Sequence, residues 1–151
     1  MSLESGQTFS AEQCRDLQAL TALMIPASEE FAVPGADDPA IFADITGSVG
    51  LDFVAVREAL QALAAMSSGC FADLDPKRRP EVAKAFLSGA GENVATLSRV
   101  VLHCYYRDDR VVRALGLEPR PPFPRGHTLE QGDWSLLDAV RGRPSMWRDA
   151  P

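Results

Sequence analysis

The chain has 151 residues, 46% of them hydrophobic and 24% charged, with a formal net charge of −6. This length and composition are typical of one globular domain with a single core, and they argue against a disordered or fibrous protein. No stretch approaches the roughly 18 uninterrupted apolar residues that span a bilayer, so we expect no direct membrane insertion. The net acidity argues against nucleic-acid binding, because phosphate contacts require a concentrated basic surface.

The start of the sequence, MSLESGQTFSAEQ, is polar and acidic. It shows neither the basic region nor the apolar region of a secretory signal. We therefore expect a soluble protein in the cytoplasm, or in the periplasm if a partner that bears a signal exports it.

The charges are unevenly distributed along the chain. Residues 1–75 hold 12 acidic and 2 basic side chains, whereas residues 76–151 hold 9 acidic and 13 basic side chains. Such polarity can steer an oppositely charged partner, but two separately solvated faces are the simpler interpretation.

The first predicted helix runs from about residue 11 to 24. Ser10 with Gln13 three positions later is a capping-box pattern at its start. Pro26 ends the helix, because proline pushes the preceding residue out of the helical region. The loop that follows is rich in acidic residues and turn formers. Apolar residues that recur on one face of this helix include Leu17, Leu20 and Met24.

Two further helices are predicted before residue 70. Asp38 followed by Pro39 is an N-cap with proline at the first helical position, which opens a short helix to about residue 46. Apolar residues at helical spacing then predict a regular helix over 52–66. Gly69 marks its end, since glycine readily adopts the left-handed conformation of a C-terminal cap.

A similar cap-plus-proline pattern, Asp75 with Pro76, predicts a basic helix to about Ser88. A second proline, Pro80, lies within or just after the first turn, where it disrupts a helix only mildly. We expect three residues of this helix to face inward: Val82, Ala85 and Phe86.

The stretch from Val94 to Gly126 begins with the central helix of the predicted core. Its apolar residues have the three-and-four spacing of a helix with one buried face, with no glycine or proline among them. Asp108 and Asp109 then precede a second, short helix, and Gly116 stands where a left-handed C-terminal cap belongs. The predicted buried face consists of Val94, Leu97, Val101, Leu102 and Tyr105.

Residues 117–151 form a tail of different composition, with six of the 11 prolines. Its first prolines hold the chain extended, and one short helix is predicted near Trp134–Val140 with Asp133 as its cap. Large apolar side chains argue against plain disorder, so we expect the tail to pack on its own domain or on another chain.

No run of four to eight residues alternates apolar and polar side chains as a half-buried strand requires. We therefore predict an all-α fold. One compact bundle of about five to six helices covers residues 1–116, and a long, extended, proline-rich tail covers residues 117–151.

Residue types that carry catalysis or bind metals are sparse. Adjacent residues on a helix point about 100° apart, so His103 and Cys104 make a poor dyad or metal site. His127 stands in the tail, and Cys14 and Cys70 complete no CxxC motif. No glycine-rich phosphate loop is present. We therefore expect no catalytic residue, no metal and no bound cofactor in this chain.

Two short segments carry a resemblance to a known family. Residues 23–29 read LMIPASE and are followed by Pro34-Gly35-Ala36. Residues 105–111 read YYRDDRV and are followed by Leu115-Gly116. These segments resemble the motifs "IIPxxD…PGA" and "FYSDPxVxxxLGY" of the gluconate 2-dehydrogenase subunit 3 family. Together with similar helix spacing, the resemblance covers roughly residues 9–125.

The resemblance implies a non-catalytic small subunit that binds, stabilises or helps to mature a separate FAD-dependent dehydrogenase. That large subunit is of the glucose-methanol-choline (GMC) type and oxidises a sugar or an alcohol, so FAD is expected in the partner. A multihaem cytochrome c often receives the electrons.

Two other hypotheses stay open at this point. One is a stand-alone helical adaptor whose tail docks on an unrelated protein. The other is a small enzyme or metal protein that uses His103, His127 and the acidic loop.

Candidate partner-binding residues are the aromatic and arginine side chains at the end of the central helix and in the tail. Large aromatics flanked by arginines are the residue types that dominate binding energy at protein interfaces. The candidates are Tyr106, Arg107, Arg110, Arg120, Phe123, Arg125, Trp134 and Trp147.

Overall fold

The computed structural model describes residues 8–89, 91–121, 123–127 and 131–144. Within these ranges the chain forms seven α-helices and three short 3₁₀ turns, and its extended pairing is limited to one isolated bridge between Ser28 and Val33. The predicted all-α fold is confirmed. The helices are α1 (Ala11–Met24), α2 (Pro39–Gly47), α3 (Phe53–Ser67), α4 (Arg79–Leu87), α5 (Glu92–Arg107), α6 (Asp109–Ala114) and α7 (Asp138–Arg141). The 3₁₀ turns are Gly50–Asp52, Phe71–Asp73 and Trp134–Leu137.

The chain divides into two compact units, Met1–Pro119 and Arg120–Pro151. The first unit contains α1 to α6, in agreement with the predicted five to six helices. It also contains every buried residue among those that the structure describes. The second unit contains the turn Trp134–Leu137 and α7, which follow each other directly.

The core of the first unit is built around α3 and α5, which make the most extensive contact between any two elements. Helices α1 and α4 pack against α3, and α2 packs against α5. The largest fully buried side chains come from every helix of this unit but α4, together with the turn after α3. They include Leu17, Leu20, Ile41, Ile45, Leu60, Leu63, Phe71, Leu97, Val101 and Val111.

Local signals place the start of α1 and of α2 as predicted. The side chain of Ser10 accepts a hydrogen bond from Gln13 N at 3.1 Å, and the side chain of Gln13 accepts one from Ser10 N at 3.0 Å. This reciprocal pair satisfies backbone donors that the first turn leaves unpaired. At α2, the Asp38 carboxylate accepts from Ala40 N at 3.0 Å.

The end of α6 confirms the predicted left-handed cap at Gly116, whose φ is +74°. The N–H of Gly116 donates to Arg113 O at 2.9 Å, and the N–H of Leu117 donates to Val112 O at 3.1 Å. This is a Schellman arrangement, which satisfies carbonyls of the last turn.

The end of α3 differs from the prediction by one residue. Ser68, with φ +56°, takes the left-handed position instead of Gly69. Gly69 follows and donates its N–H to Ala64 O at 3.0 Å. The helix ends at Ser67, one residue beyond the expected end, and its left-handed cap falls on Ser68, a residue that bears a Cβ.

Helix α4 begins later than predicted. Asp75 caps a separate turn in which its side chain accepts from Lys77 N at 2.7 Å, and the helix itself starts at Arg79. Pro80 therefore lies in the first turn, where its missing N–H is not needed. Phe86 is buried as expected, but Ala85 is exposed and Ala83 is buried in its place.

The buried face of α5 is rotated around the helix relative to the prediction. Leu97, Val101 and Tyr105 are buried as expected, whereas Leu102 is 42% exposed. At about 100° per residue, the buried side chains lie within an arc that extends from Val100 to Tyr105, and residue 102 lies outside that arc. Val100 and Cys104 complete the stripe.

Candidate functional site

The two segments that carry the family resemblance meet in the first unit. Tyr105 on α5 is buried, and its hydroxyl donates to Pro34 O at 3.1 Å. The loop before α2 is closed on itself, since Ala36 N donates to Ile25 O at 2.9 Å. Gly35 is required there, because a Cβ would lie 2.4 Å from an Asp37 carboxylate oxygen and 3.0 Å from Ala27 N.

Arg110 joins the beginnings of two helices. Its guanidinium donates to the Asp38 carboxylate at 2.7 and 3.1 Å, and its Nε donates to Asp108 Oδ1 at 3.0 Å. Asp38 caps α2 and Asp108 caps α6. We call this cluster of Arg110, Asp38 and Asp108 the N-cap joint.

The N-cap joint is electrostatically favourable. The pKa of Asp38 and the pKa of Asp108 lie below the ordinary value of an aspartate. Hydrogen bonds from Arg110 are the largest cause of both shifts. The same two carboxylates raise the pKa of Arg110. Two fixed carboxylates around one guanidinium make a charge-assisted network that fixes the position of α6 relative to α2.

Arg107 makes a second connection between the end of α5 and α2. Its Nε donates to Asp44 Oδ2 at 2.6 Å, and its Nη2 donates to Asp44 and to the Ser48 hydroxyl. This contact lowers the pKa of Asp44. The side chains of Arg107 and Arg110 each remain 44% exposed, although both are engaged inside the first unit.

A third arginine, Arg99 on α5, donates to Asp52 at 2.9 Å. With Arg107 and Arg110 it links the basic later part of the chain to the acidic earlier part. The charge asymmetry was interpreted as two solvated faces, and in these three places the opposite charges pair instead. The uneven distribution of charge along the sequence is the signal for these contacts, but it does not identify which residues pair.

A cleft of about 210 Å³ lies beside α5, and we call it the α5 cleft. Cys104 forms part of its wall and is buried; desolvation and the nearby Asp44 raise the pKa of its thiol. A neutral thiol is a poor nucleophile and metal ligand. The lining residues are Ser48, Asp52, Arg99, Val100, His103, Cys104 and Arg107.

Tyr106 lies on the exposed side of α5. It is 54% exposed, and its ring meets that of Tyr105 edge to face with centroids 5.3 Å apart. Among the first-unit candidates it is therefore the aromatic side chain open to a partner.

The second unit carries five of the candidates. Phe123 is 85% exposed and Trp134 is 63% exposed, and Arg125 is exposed as well. Arg120 donates to Gly126 O within this unit. Trp147, the last candidate, lies outside the described residues.

The predicted short helix of the tail is present near its expected position. The Asp133 side chain accepts from Ser135 N at 3.0 Å, as an N-cap does, and the turn Trp134–Leu137 leads into α7. The exposed apolar residues of this segment are Trp134, Leu136, Leu137 and Val140.

Clusters with other chemistry are limited. In the described part of the chain, no group of three or more histidine, cysteine, aspartate or glutamate side chains is placed to hold a metal ion. In the same ranges no single helix is long and apolar enough to cross a bilayer, and only the bent pair Pro39–Gly47 with Gly50–Asp73 reaches that length and composition.

In the first unit, residues of the resembling segments make contacts that stabilise the fold. In the second unit, aromatic and arginine side chains are exposed. Comparison with family models, curated proteins and solved structures finds no match to this chain. The functional proposal therefore depends on the contacts described above and on the motif resemblance.

Proposed function

We propose that this chain is a non-catalytic accessory subunit that binds, stabilises or helps to mature a FAD-dependent sugar or alcohol dehydrogenase of the GMC type. The exposed surface of the second unit carries the proposal. Phe123 and Trp134 are 85% and 63% exposed, and none of the described residues of that unit is buried.

A partner that covers this surface gains binding energy from it. Burial of apolar area contributes roughly 25 cal/mol per Å², and large aromatics beside arginines are frequent among the residues that dominate interfaces. Arg120 and Arg125 flank Phe123 in sequence and supply the polar part of such a contact. In this proposal the chain binds the partner, and the partner oxidises the sugar or alcohol.

The motif resemblance supports the choice of partner. In this proposal FAD lies in the large subunit, and a multihaem cytochrome c accepts the electrons, as is common among members of the family. No residue of this chain takes part in hydride transfer.

One observation favours a second candidate, a stand-alone helical adaptor that binds a protein other than a dehydrogenase. Tyr105, Gly35 and Arg110, which lie in the resembling segments, all make contacts inside the first unit. Any protein with this arrangement of helices needs such contacts, whatever its partner.

The proposal is tested by expressing a tagged form of this chain together with a GMC flavoprotein encoded beside it. We expect the two chains to co-purify. We also expect the flavoprotein to contain more FAD per chain, and to reduce an artificial electron acceptor faster, than when it is expressed alone.

A matched pair of variants locates the contact. Phe123→Ala combined with Trp134→Ala should abolish co-purification while the helical circular dichroism signal stays unchanged. Leu51→Ala is the control, because Leu51 is a fully exposed apolar residue of the first unit. It should leave the complex intact.

Truncation after Pro119 keeps all the buried residues that the structure describes. The shortened chain should therefore stay folded and lose its partner. A shortened chain that binds the flavoprotein at full strength contradicts the proposal, as does a flavoprotein that is fully loaded and active without this chain. Loss of a different protein from a native-host pull-down with the double variant would instead support the adaptor.

A further inference from the structure

The two arginines that line the α5 cleft have more N–H donors than the hydrogen bonds that they make to other described residues. A guanidinium has five N–H donors. Among the contacts of the described residues, Arg99 donates one hydrogen bond to Asp52, and Arg107 donates from Nε and Nη2 to Asp44 and Ser48. The Arg99 side chain lines the cleft and is 63% exposed.

The lining of the α5 cleft holds the positive charges of two arginines and the negative charge of one aspartate. Arg99, Arg107 and His103 line it together with one carboxylate, Asp52, and the neutral thiol of Cys104. The second nearby carboxylate, Asp44, is held by Arg107 and the Ser48 hydroxyl. It therefore orients the guanidinium as a fixed carboxylate does in a phosphate or carboxylate site.

The volume of the cleft limits the size of the ligand. About 210 Å³ corresponds to roughly seven water molecules at about 30 Å³ each. Pockets for drug-sized ligands are larger, at about 300 to 1,000 Å³. A small carboxylic acid or inorganic phosphate fits within this volume.

We propose that the α5 cleft binds a small oxyanion, a carboxylate or a phosphate, through Arg99, Arg107 and His103. This inference concerns the first unit and does not depend on the proposed accessory function. The anion lies against the unused N–H edges of the two guanidiniums, and the Ser48 hydroxyl completes the polar wall.

The experiment is a titration of the full-length protein followed by nuclear magnetic resonance. Acetate and inorganic phosphate are added separately at constant ionic strength, with chloride as the reference anion. We expect saturable shifts of the Arg99 and Arg107 side-chain signals and of the His103 ring signals, with a dissociation constant in the millimolar range. The anion that saturates at lower concentration identifies which chemistry the cleft prefers.

Arg99→Gln tests the site, because the ion pair that it removes is exposed and contributes little to folding. It should weaken binding by about tenfold or more, the usual effect of losing a hydrogen bond to a charged group. Arg99→Lys should restore part of it. Arg113→Gln is the matched control, since Arg113 pairs with Asp109 on α6 and does not line the cleft.

Three results would overturn the proposal. They are shifts that do not saturate for either anion, shifts of equal size with chloride, and equal weakening by Arg99→Gln and Arg113→Gln. The first means that no site exists, and the other two mean that the protein responds to ionic strength or to total charge.

Discussion

In the first unit, Arg107 and Arg110 pair with aspartates of α2 and α6, and Tyr105 is buried against the loop before α2. In the second unit, residues of similar type, such as Phe123 and Trp134, are largely exposed. The difference arises because the first unit has helix-capping carboxylates and a core within reach of these side chains. Arginine and aromatic residues near each other in sequence therefore indicate a binding surface only where the fold itself does not use them.

The largest expected effect contrasts a buried phenylalanine of the first unit with an exposed one of the second. Phe71 is completely buried, so Phe71→Ala should lower the free energy of unfolding by about 3 to 5 kcal/mol. Phe123 is 85% exposed, and Phe123→Ala should change it by less than about 0.5 kcal/mol. Urea denaturation of both variants measures the difference. Similar losses would mean that Phe123 belongs to a packed core.

The next effect concerns the loop that Tyr105 packs against. Gly35→Ala places a Cβ against backbone atoms at 3.0 and 3.3 Å, and should destabilise the protein by about 1 to 3 kcal/mol. Gly47→Ala, at the end of α2, meets nothing within 4 Å and should be neutral or slightly stabilising. Thermal unfolding compares the two, and a neutral Gly35→Ala would show that the loop relaxes freely.

A smaller effect is expected from the backbone conformation of one glycine in each unit. Gly116 has φ +74° with open space around it, so Gly116→Ala should cost about 1 kcal/mol through backbone strain alone. Gly132→Ala in the second unit also meets open space, without a positive φ, and should leave stability unchanged. The denaturation midpoint is the measurement. Equal behaviour of both variants would place the end of α6 elsewhere.

The smallest effect is the pH dependence of the N-cap joint. Asp38 and Asp108 have folded-state pKa values below their ordinary 3.8, so their stabilisation is present above about pH 4. It is lost as the pH falls through the folded-state values. At neutral pH, Arg110→Gln should therefore cost up to about 1 kcal/mol, a figure reduced for the 44% exposure of the arginine.

The difference in the free energy of unfolding between Arg110→Gln and the wild type should decrease as the pH falls below about 4. Protonated aspartates carry no charge and therefore form no ion pair with the guanidinium. Arg113→Gln is again the control. Its ion pair with Asp109 is 60% exposed on both sides, and the variant should show a smaller loss at every pH. A difference that persists unchanged in acid would assign the effect of Arg110 to packing and not to charge.

Elements whose signals lie within a few residues were predicted well from sequence. Ser10 with Gln13 set the start of α1, Asp38 with Pro39 set the start of α2, and Gly116 set the end of α6. Each signal satisfies backbone groups of the same turn, so neighbouring residues contain the information. The predicted start of α4 was wrong because Asp75 caps a turn that precedes the helix. Short-range chemistry does not distinguish the cap of a turn from the cap of a helix.

The role of the arginines was decided by tertiary structure alone. Arg110 and Asp38 are 72 positions apart, and Arg107 and Asp44 are 63 apart. The sequence determined that α5 has a buried stripe and that opposite charges are segregated along the chain. Only the packing of α2 and of α6 against α5 brought particular aspartates and arginines within hydrogen-bond distance, because the contact depends on how whole helices are placed and not on any local pattern.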